Sequence, residues 1–266
     1  MGNVAELVDL VDGASGVSGA SGASGACGAN VSNGGDGGDV QQRPRAVIID
    51  DGSQARETFH LAYPKLNVVG AYPNVVAYLA RPNTTENDVD LVVLDLHLAT
   101  EYGNSTELQG PAAIREIAKT GIPICLYTDE RRVLVLAQCF AAGASGLVRK
   151  CGSLVDNQRD FLRVAGGDPV IPGSLVGLAE LLTRRSRLPS LTQRQIEVLT
   201  ARARGETWGA LSRRLGISSK TAYDRLEAVM HKMYWYLNDA GISPHAAPAD
   251  VERILGLAPG DLNEPI

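Results

Sequence analysis

Short, almost wholly apolar runs alternate along residues 45–167 with segments in which apolar residues recur at helical spacing. The strand-like runs lie near residues 46–50, 67–71, 90–95, 122–127 and 146–149. The helical patterns lie near residues 53–62, 74–81, 110–119, 131–142 and 153–165. Apolar runs of this length are typical of parallel strands that are buried on both faces. The fivefold repeat predicts an α/β domain with a doubly wound, five-stranded parallel sheet.

Polar residues stand at the ends of four of these runs. Asp50 and Asp51 follow the first run, Asp95 the third, Thr128 the fourth and Lys150 the fifth. Because the carboxyl ends of parallel strands meet at one edge of a sheet, we expect these side chains to converge. A strand-end aspartate taken alone more commonly caps the following turn, so the hypothesis depends on the whole set.

This set of residues predicts a site for phosphoryl chemistry. Three clustered carboxylates repel one another and need a divalent cation, and hard oxygen ligands favour Mg²⁺. Lys150 supplies a balancing positive charge. In such surroundings Asp95 can act as a nucleophile toward phosphorus and form an aspartyl phosphate.

The ordered set of acid pair, lone aspartate, threonine and lysine resembles the receiver domains of two-component response regulators. The resemblance covers roughly residues 45–167 and implies a flavodoxin-like fold and a histidine kinase as phosphodonor. It implies a metal-binding acid pair (Asp50 and Asp51), a phosphoacceptor (Asp95), a switch hydroxyl (Thr128) and a phosphate-pairing lysine (Lys150). The main-chain carbonyl of His97 would be a further metal ligand.

Two features depart from the usual receiver pattern. Receivers usually place an aromatic switch residue three positions before the lysine, and here that residue is Leu147. The active-site loop, residues 99–110, is longer than usual and contains no proline. We therefore expect phosphorylation to be coupled only weakly to the output of the protein.

Charge divides the chain into two unequal parts. Residues 183–232 contain eleven Lys or Arg residues against four acids, a net charge of +7, whereas the rest carries 14 basic and 26 acidic residues. A basic segment within an acidic protein indicates a polyanionic partner, although any single residue of it is as readily explained as part of a solvated face.

The basic segment also carries the pattern of a helix-turn-helix. Thr192 and Gln195 have the spacing of a capping box, which predicts a helix that ends near Gly205. A second helix begins near Trp208, and a tight turn at Gly216 leads into a third. The apolar positions of the third helix follow helical spacing, and two helices joined by such a turn form this motif.

This region, over about residues 188–257, resembles the LuxR/NarL class of response-regulator output domains. The match is good over residues 215–221 and poorer after them. The resemblance implies binding to double-stranded DNA as a homodimer. By that resemblance, Arg213 and Arg214 would lie near the DNA backbone, and Ser219, Lys220, Tyr223, Asp224 and Glu227 would lie near the groove.

The remaining segments complete the predicted domain organisation. Residues 1–44 are rich in Gly, Ser and Ala, and predict a disordered tail. Residues 168–187 would contain a linker helix over 173–184, whose apolar stripe needs a partner, and residues 258–266 would form a C-terminal tail. No apolar run approaches the length of a membrane span, so we expect no membrane association and a cytoplasmic protein.

The leading hypothesis is a transcription regulator, not an enzyme, that binds DNA and is controlled by phosphorylation of Asp95. The alternative is a receiver used for phosphorylation-independent dimerisation or ligand sensing, with the same DNA-binding output. An aspartyl-phosphate phosphatase is less favoured, because phosphatases of the haloacid dehalogenase type need a second acid two residues after the nucleophile. That position is His97.

Overall fold

Five short parallel strands form the centre of the N-terminal region in the computed structural model, which describes residues 43–81, 89–96, 108–188 and 191–262. They are β1 (Arg45–Ile49), β2 (Asn67–Tyr72), β3 (Leu91–Leu94), β4 (Ile124–Tyr127) and β5 (Gly146–Val148). All pairings are parallel, and the order across the sheet is β2-β1-β3-β4-β5. This is the flavodoxin-like order, which confirms the predicted fold class.

Five helices cover the two faces of this sheet. They are α1 (Ser53–Ala62), α2 (Val75–Leu79), α3 (Gly110–Ala118), α4 (Val133–Ala141) and α5 (Leu154–Ala165). Alternate strand residues point to opposite faces. Ala46 and Ile48 pack in a core cluster with Phe59 of α1 and Phe161 of α5, whereas Val47 belongs to a larger cluster with α2, α3 and α4.

The C-terminal region is entirely helical among the described residues. It comprises α6 (Gly173–Arg184), α7 (Gln193–Ala203), α8 (Trp208–Leu215), α9 (Ser219–Asp239) and α10 (Pro248–Leu255). Thr192 and Gln195 form the predicted capping box, with both reciprocal hydrogen bonds present. Gly216 ends α8 with a φ of 64°, a left-handed conformation that favours glycine and allows the sharp turn into α9. The helix-turn-helix prediction is confirmed.

Helix α4 joins the two regions into one core. Six of its nine residues are buried, and it packs against α9 as well as α3 and α6. Its side chains share a single core cluster with Ile124 and Leu126 of the sheet and with Leu226 and Met230 of α9. A helix with so wide an apolar surface needs partners on more than one face, and α9 supplies one of them.

The linker helix α6 is part of the same core. Its apolar stripe is buried against α7, α4 and α9, which supplies the partner that the sequence requires. The indole of Trp208 donates a hydrogen bond to the carbonyl of Pro169 (2.9 Å). The described residues from 43 onward form one compact unit. No division near residue 187 is seen within it, and the domain boundary predicted there stays a prediction. Among the described residues, no helix has both the length and the hydropathy that crossing a bilayer requires.

We predict that both regions unfold together. In a Trp235→Phe variant, Trp208 is the remaining tryptophan and reports on the C-terminal region. The thiols of Cys125 and Cys139 are buried in the N-terminal region, and Cys151 is exposed as an internal reference. Because α4 is core to both regions, urea should expose the two buried thiols to labelling at the concentration that shifts Trp208 fluorescence. Two clearly separated midpoints would contradict the shared core.

Candidate functional site

A pocket of acids lies at the carboxyl edge of the sheet. The main-chain N–H of Asp50 donates to Tyr72 O (3.1 Å), and that of Asp95 donates to Ile49 O (2.8 Å). These bonds continue the strand pairing by one residue and fix where both carboxylates leave the main chain. Both side chains are buried, whereas Asp51 is exposed at the mouth of the pocket.

Lys150 connects the two buried carboxylates. Its Nζ lies 3.0 Å from Asp50 Oδ2 and 2.9 Å from Asp95 Oδ2. Burial alone would favour the neutral amine, but the hydrogen bonds to Asp95 and Asp50 outweigh it and raise the pKa of Lys150. The ammonium therefore stays charged and offsets part of the negative charge in the pocket.

The acid set has the geometry and chemistry of a site for a hard cation. One carboxylate oxygen from each of Asp50, Asp51 and Asp95 lies within 4.8 Å of the other two. The donors are all oxygen, and the exposed position of Asp51 leaves room for the waters that Mg²⁺ retains. The predicted acid ligands are thus brought together and fit Mg²⁺. His97 and most of the loop 99–110 lie outside the described residues.

Thr128 directly follows β4, and Leu147 lies on β5, the strand next to it. Thr128 is buried at the end of β4, where its N–H donates to Val148 O (3.1 Å) and its Oγ1 accepts from the N–H of Glu130 (3.2 Å). Leu147 is buried in the core cluster that contains α4, so an aliphatic side chain occupies the position of the usual aromatic switch. The hydroxyl that should respond to phosphate is thus bonded to the loop that enters α4.

That loop contains an ion pair that the sequence reasoning missed. The guanidinium of Arg132 donates to both carboxylate oxygens of Glu130, which is 5% exposed. Arg149 donates to the carbonyl of Glu130 (2.6 Å), and Arg132 Nη1 lies 3.3 Å from Nδ1 of His245, between α9 and α10. Burial opposes ionisation of Glu130, but the hydrogen bonds from Arg132 outweigh it and lower its pKa to about 2.

The sequence also gave no sign of a polar network beneath Lys150. The hydroxyls of Tyr63 and Tyr127 lie 3.0 Å apart, and the amide of buried Asn157 donates to Tyr63 Oη (3.2 Å). Lys150 Nζ lies 5.5 Å from the centre of the Tyr127 ring, within the range of a cation–π contact. No local pattern predicts this network, because its members are far apart in sequence.

The predicted DNA-binding residues fall into two groups, and one is open to solvent. Arg213 and Arg214 are exposed on α8, and Arg214 makes a two-pronged pair with Glu206. At the start of α9, Lys220 and Asp224 are exposed and pair with each other at 3.1 Å. The hydroxyl of Ser219, partly buried, lies 3.1 Å from that of Ser212.

The other two residues, Tyr223 and Glu227, are partly buried, and Tyr223 contacts the N-terminal region. The hydroxyl of Tyr223 donates to the carbonyl of Ala144, between α4 and β5 (2.9 Å). Glu227 lies one turn further along α9 and is partly buried. Burial, followed by the charge of Asp224, raises the pKa of Glu227. Of the predicted groove-facing residues, Tyr223 is therefore held against the loop that follows α4.

The chain has a distant relative among known proteins. No family model matches the chain. A glycerol metabolism activator of Pseudomonas putida is 24% identical over 157 residues, which covers 55% of this chain and 69% of that protein.

Several solved response regulators are similar to this chain at low sequence identity. The RcsB response regulator of Salmonella typhimurium is 20% identical, with a TM-score of 0.44 over 76% of this chain and 99% of that chain. An RcsB–DNA complex is 19% identical, with a TM-score of 0.44 over 81% and 98% of the two chains. ChrA, from a haem-sensing two-component system, is 20% identical, with a TM-score of 0.39 over 80% and 98%. At this level of similarity the comparisons assign neither an activity nor a partner to the chain.

We predict a pH-dependent contribution of Glu130 to stability. Its folded-state pKa of about 2 is below the ordinary value of 4.5, so its contribution is complete above about pH 4.5 and is lost as the pH falls toward 2. Glu130→Gln should lower the free energy of unfolding by about 2 kcal/mol at neutral pH, and by much less near pH 2.5.

Chemical denaturation at several pH values measures this difference. Glu116→Gln is the matched control, because Glu116 pairs with Lys119 on an exposed helix surface and should contribute little. A loss in Glu130→Gln that is equally large at neutral and acidic pH would contradict the assignment to this ion pair.

Proposed function

We propose that this chain is a transcription regulator of the response-regulator type, which binds DNA and accepts a phosphoryl group on Asp95. One observation carries the proposal. Lys150 Nζ bridges Asp50 and Asp95 at the carboxyl edge of a parallel sheet, and a carboxylate oxygen of Asp51 lies within 4.8 Å of oxygens of both acids. A lysine and a hard cation beside a buried carboxylate supply the charge neutralisation that phosphoryl transfer requires.

The proposed reaction is an in-line displacement at phosphorus. A carboxylate oxygen of Asp95 attacks, a P–O bond forms, and the bond from phosphorus to the donor breaks with its electron pair leaving on the donor. Where the donor is a phosphohistidine, the departing imidazole takes up a proton. Lys150 pairs with the transferred group, and Thr128 moves toward it. Mg²⁺, held by Asp50, Asp51 and Asp95, would supply further positive charge to the phosphoryl oxygens.

The partners follow from the same proposal. A histidine kinase is the proposed phosphodonor, and double-stranded DNA is the proposed target of the basic C-terminal region. Arg213 and Arg214 would contact phosphates, which position the domain, and the exposed residues at the start of α9, Lys220 and Asp224, would contact bases. A homodimer remains part of the proposal, and the sequence relative named as an activator is in line with a regulatory role.

Regulation would act on the packing of α9 against α4. The hydroxyl of Tyr223 is bonded to Ala144 of the N-terminal region in this arrangement, so it reaches DNA only when α9 separates from that region. Phosphorylation would then bias the equilibrium toward the separated form. A ligand or modification shifts such an equilibrium only by its differential interaction with the two forms.

A second candidate function is favoured by the character of this interface. Leu147 provides no ring to follow Thr128, and α4 is buried as deeply as an ordinary core helix. In this alternative, the N-terminal region is a dimerisation or sensing module that needs no phosphate, and DNA binding uses the exposed residues alone. The two candidates differ in whether modification of Asp95 changes DNA affinity.

We predict that Asp95 is the modified residue. Incubation with Mg²⁺ and acetyl phosphate should add one phosphoryl group, and Asp95→Asn should abolish the addition because a carboxamide is not a nucleophile toward phosphorus. Intact-protein and peptide mass spectrometry locate the group. Asp90→Asn is the matched control, because Asp90 lies at the opposite end of β3 and accepts from the N–H of Arg45 (2.7 Å). An unmodified wild type would leave the second candidate as the function.

We also predict that Tyr223→Phe raises DNA affinity in the absence of phosphodonor. The substitution removes the hydrogen bond to Ala144, worth about 1 kcal/mol, and so should raise the separated fraction and the apparent affinity about fivefold. Fluorescence anisotropy at fixed salt, with a duplex selected by binding to the wild type, measures the change. Tyr234→Phe on the same helix is the control. A loss of affinity would contradict the covered-helix mechanism and assign the hydroxyl to base contact instead.

A further inference from the structure

The main chain on both sides of Lys150 is held by side chains from other elements. Before the lysine, the carbonyl of Arg149 accepts a hydrogen bond from Nδ2 of Asn157 in α5 (2.9 Å). After it, the N–H of Cys151 donates to Oδ1 of Asp129, in the loop after β4 (3.0 Å). The peptide units that flank Lys150 are therefore fixed independently of the ion pairs that its amine makes.

Asn157 is a buried polar residue whose amide is hydrogen-bonded and tightly packed. It is 5% exposed although it is polar, and its amide also donates to Tyr63 Oη (3.2 Å). A Cβ on Gly152 would lie 2.6 Å from Asn157 Oδ1, so the loop after Lys150 is closed tightly over this side chain. Burying an amide costs free energy unless its hydrogen bonds are made. Both hydrogen bonds of the Asn157 amide go to groups close to Lys150, the carbonyl of Arg149 and the hydroxyl of Tyr63.

The hydrogen bond from Asn157 to Tyr63 also bears on the position of the Lys150 amine. Tyr63 Oη lies 3.0 Å from Tyr127 Oη, and the ring of Tyr127 lies below Lys150 Nζ at 5.5 Å. Asn157 thus holds both the main chain before Lys150 and, through Tyr63, the aromatic surface against which the lysine lies.

We propose that Asn157 is a positioning residue for Lys150, which sets the place of the ammonium opposite Asp50 and Asp95 through the carbonyl of Arg149. The consequence for phosphoryl transfer rests on the proposed function, whereas the placement of the amine does not. A charge that must meet a developing negative charge is effective only when it is held in place before the reaction.

The test uses the full-length chain and the variant Asn157→Asp, which keeps the shape of the side chain but replaces the donor with an acceptor. Its rate of Asp95 phosphorylation by acetyl phosphate with Mg²⁺ should fall about tenfold. In a Lys150→Ala background the same substitution should have little further effect, because the group that it positions is gone. A loss of the same factor in both backgrounds would overturn the proposal and assign Asn157 a general structural role. Gln158→Ala is the matched control, since Gln158 follows Asn157 in α5 but accepts from the N–H of Lys65 (3.0 Å).

A second measurement does not depend on phosphorylation. Trace acetylation of lysines, followed by peptide mass spectrometry, compares the reactivity of Lys150 with that of exposed Lys220. An amine released from Asp50 and Asp95 reacts faster, so Asn157→Asp should raise the relative rate at Lys150 severalfold. If the wild type is not phosphorylated but this rate rises, the proposed function fails and the positioning role stands. If the wild type is phosphorylated and neither measurement changes in the variant, the positioning role fails alone. Should Asn157→Asp not fold, Asn157→Ser carries the same expectations without an added charge.

Discussion

The burial of most of α4, between the sheet and α9, is the constraint on which the arrangement of this chain depends. Val133, Leu134, Leu136 and Phe140 are buried, and Gln138 is the one polar residue of the helix. Burying one side chain of this size stabilises a fold by about 1.5–3 kcal/mol. Exposure of even a few of these residues would therefore cost more than any single hydrogen bond at the edge of the interface, and α9 stays in place because α4 needs a cover.

Local patterns and one topological rule account for what the sequence could predict. Strand and helix periods are local, so the five βα units and the helix-turn-helix were predicted nearly to their ends. The pocket followed because parallel strands bring their carboxyl ends together, which places Asp50, Asp95 and Lys150 in contact although they are up to 100 positions apart. The role of each residue in the reaction stays a prediction.

The residues that sequence reasoning missed are those whose partners follow from tertiary packing alone. Asn157 and Tyr63 are 94 positions apart, and no period or motif relates them. The DNA-facing assignment of Tyr223 stays a prediction, and the hydrogen bond from its hydroxyl to the carbonyl of Ala144 follows from tertiary packing. Helix α9 packs against α4 as well as against α7 and α8, and a single helical period does not predict which of its residues each partner covers.

The geometry around Glu130 bounds how strongly the pocket can act on the C-terminal region. Thr128 bonds to the N–H of Glu130, and Arg149, next to Lys150, bonds to its carbonyl. Both hydrogen bonds from the proposed phosphorylation site therefore end on Glu130. The carboxylate of Glu130 pairs with Arg132, whose Nη1 lies 3.3 Å from Nδ1 of His245. These are a few hydrogen bonds of about 1–3 kcal/mol each, against an interface built from core side chains. A modification shifts an equilibrium only by the difference between its interactions with the two forms. A phosphoryl group that acts through this loop alone can therefore break hydrogen bonds at the edge of the interface. Full separation of α9 also requires the side chains of α4 to repack.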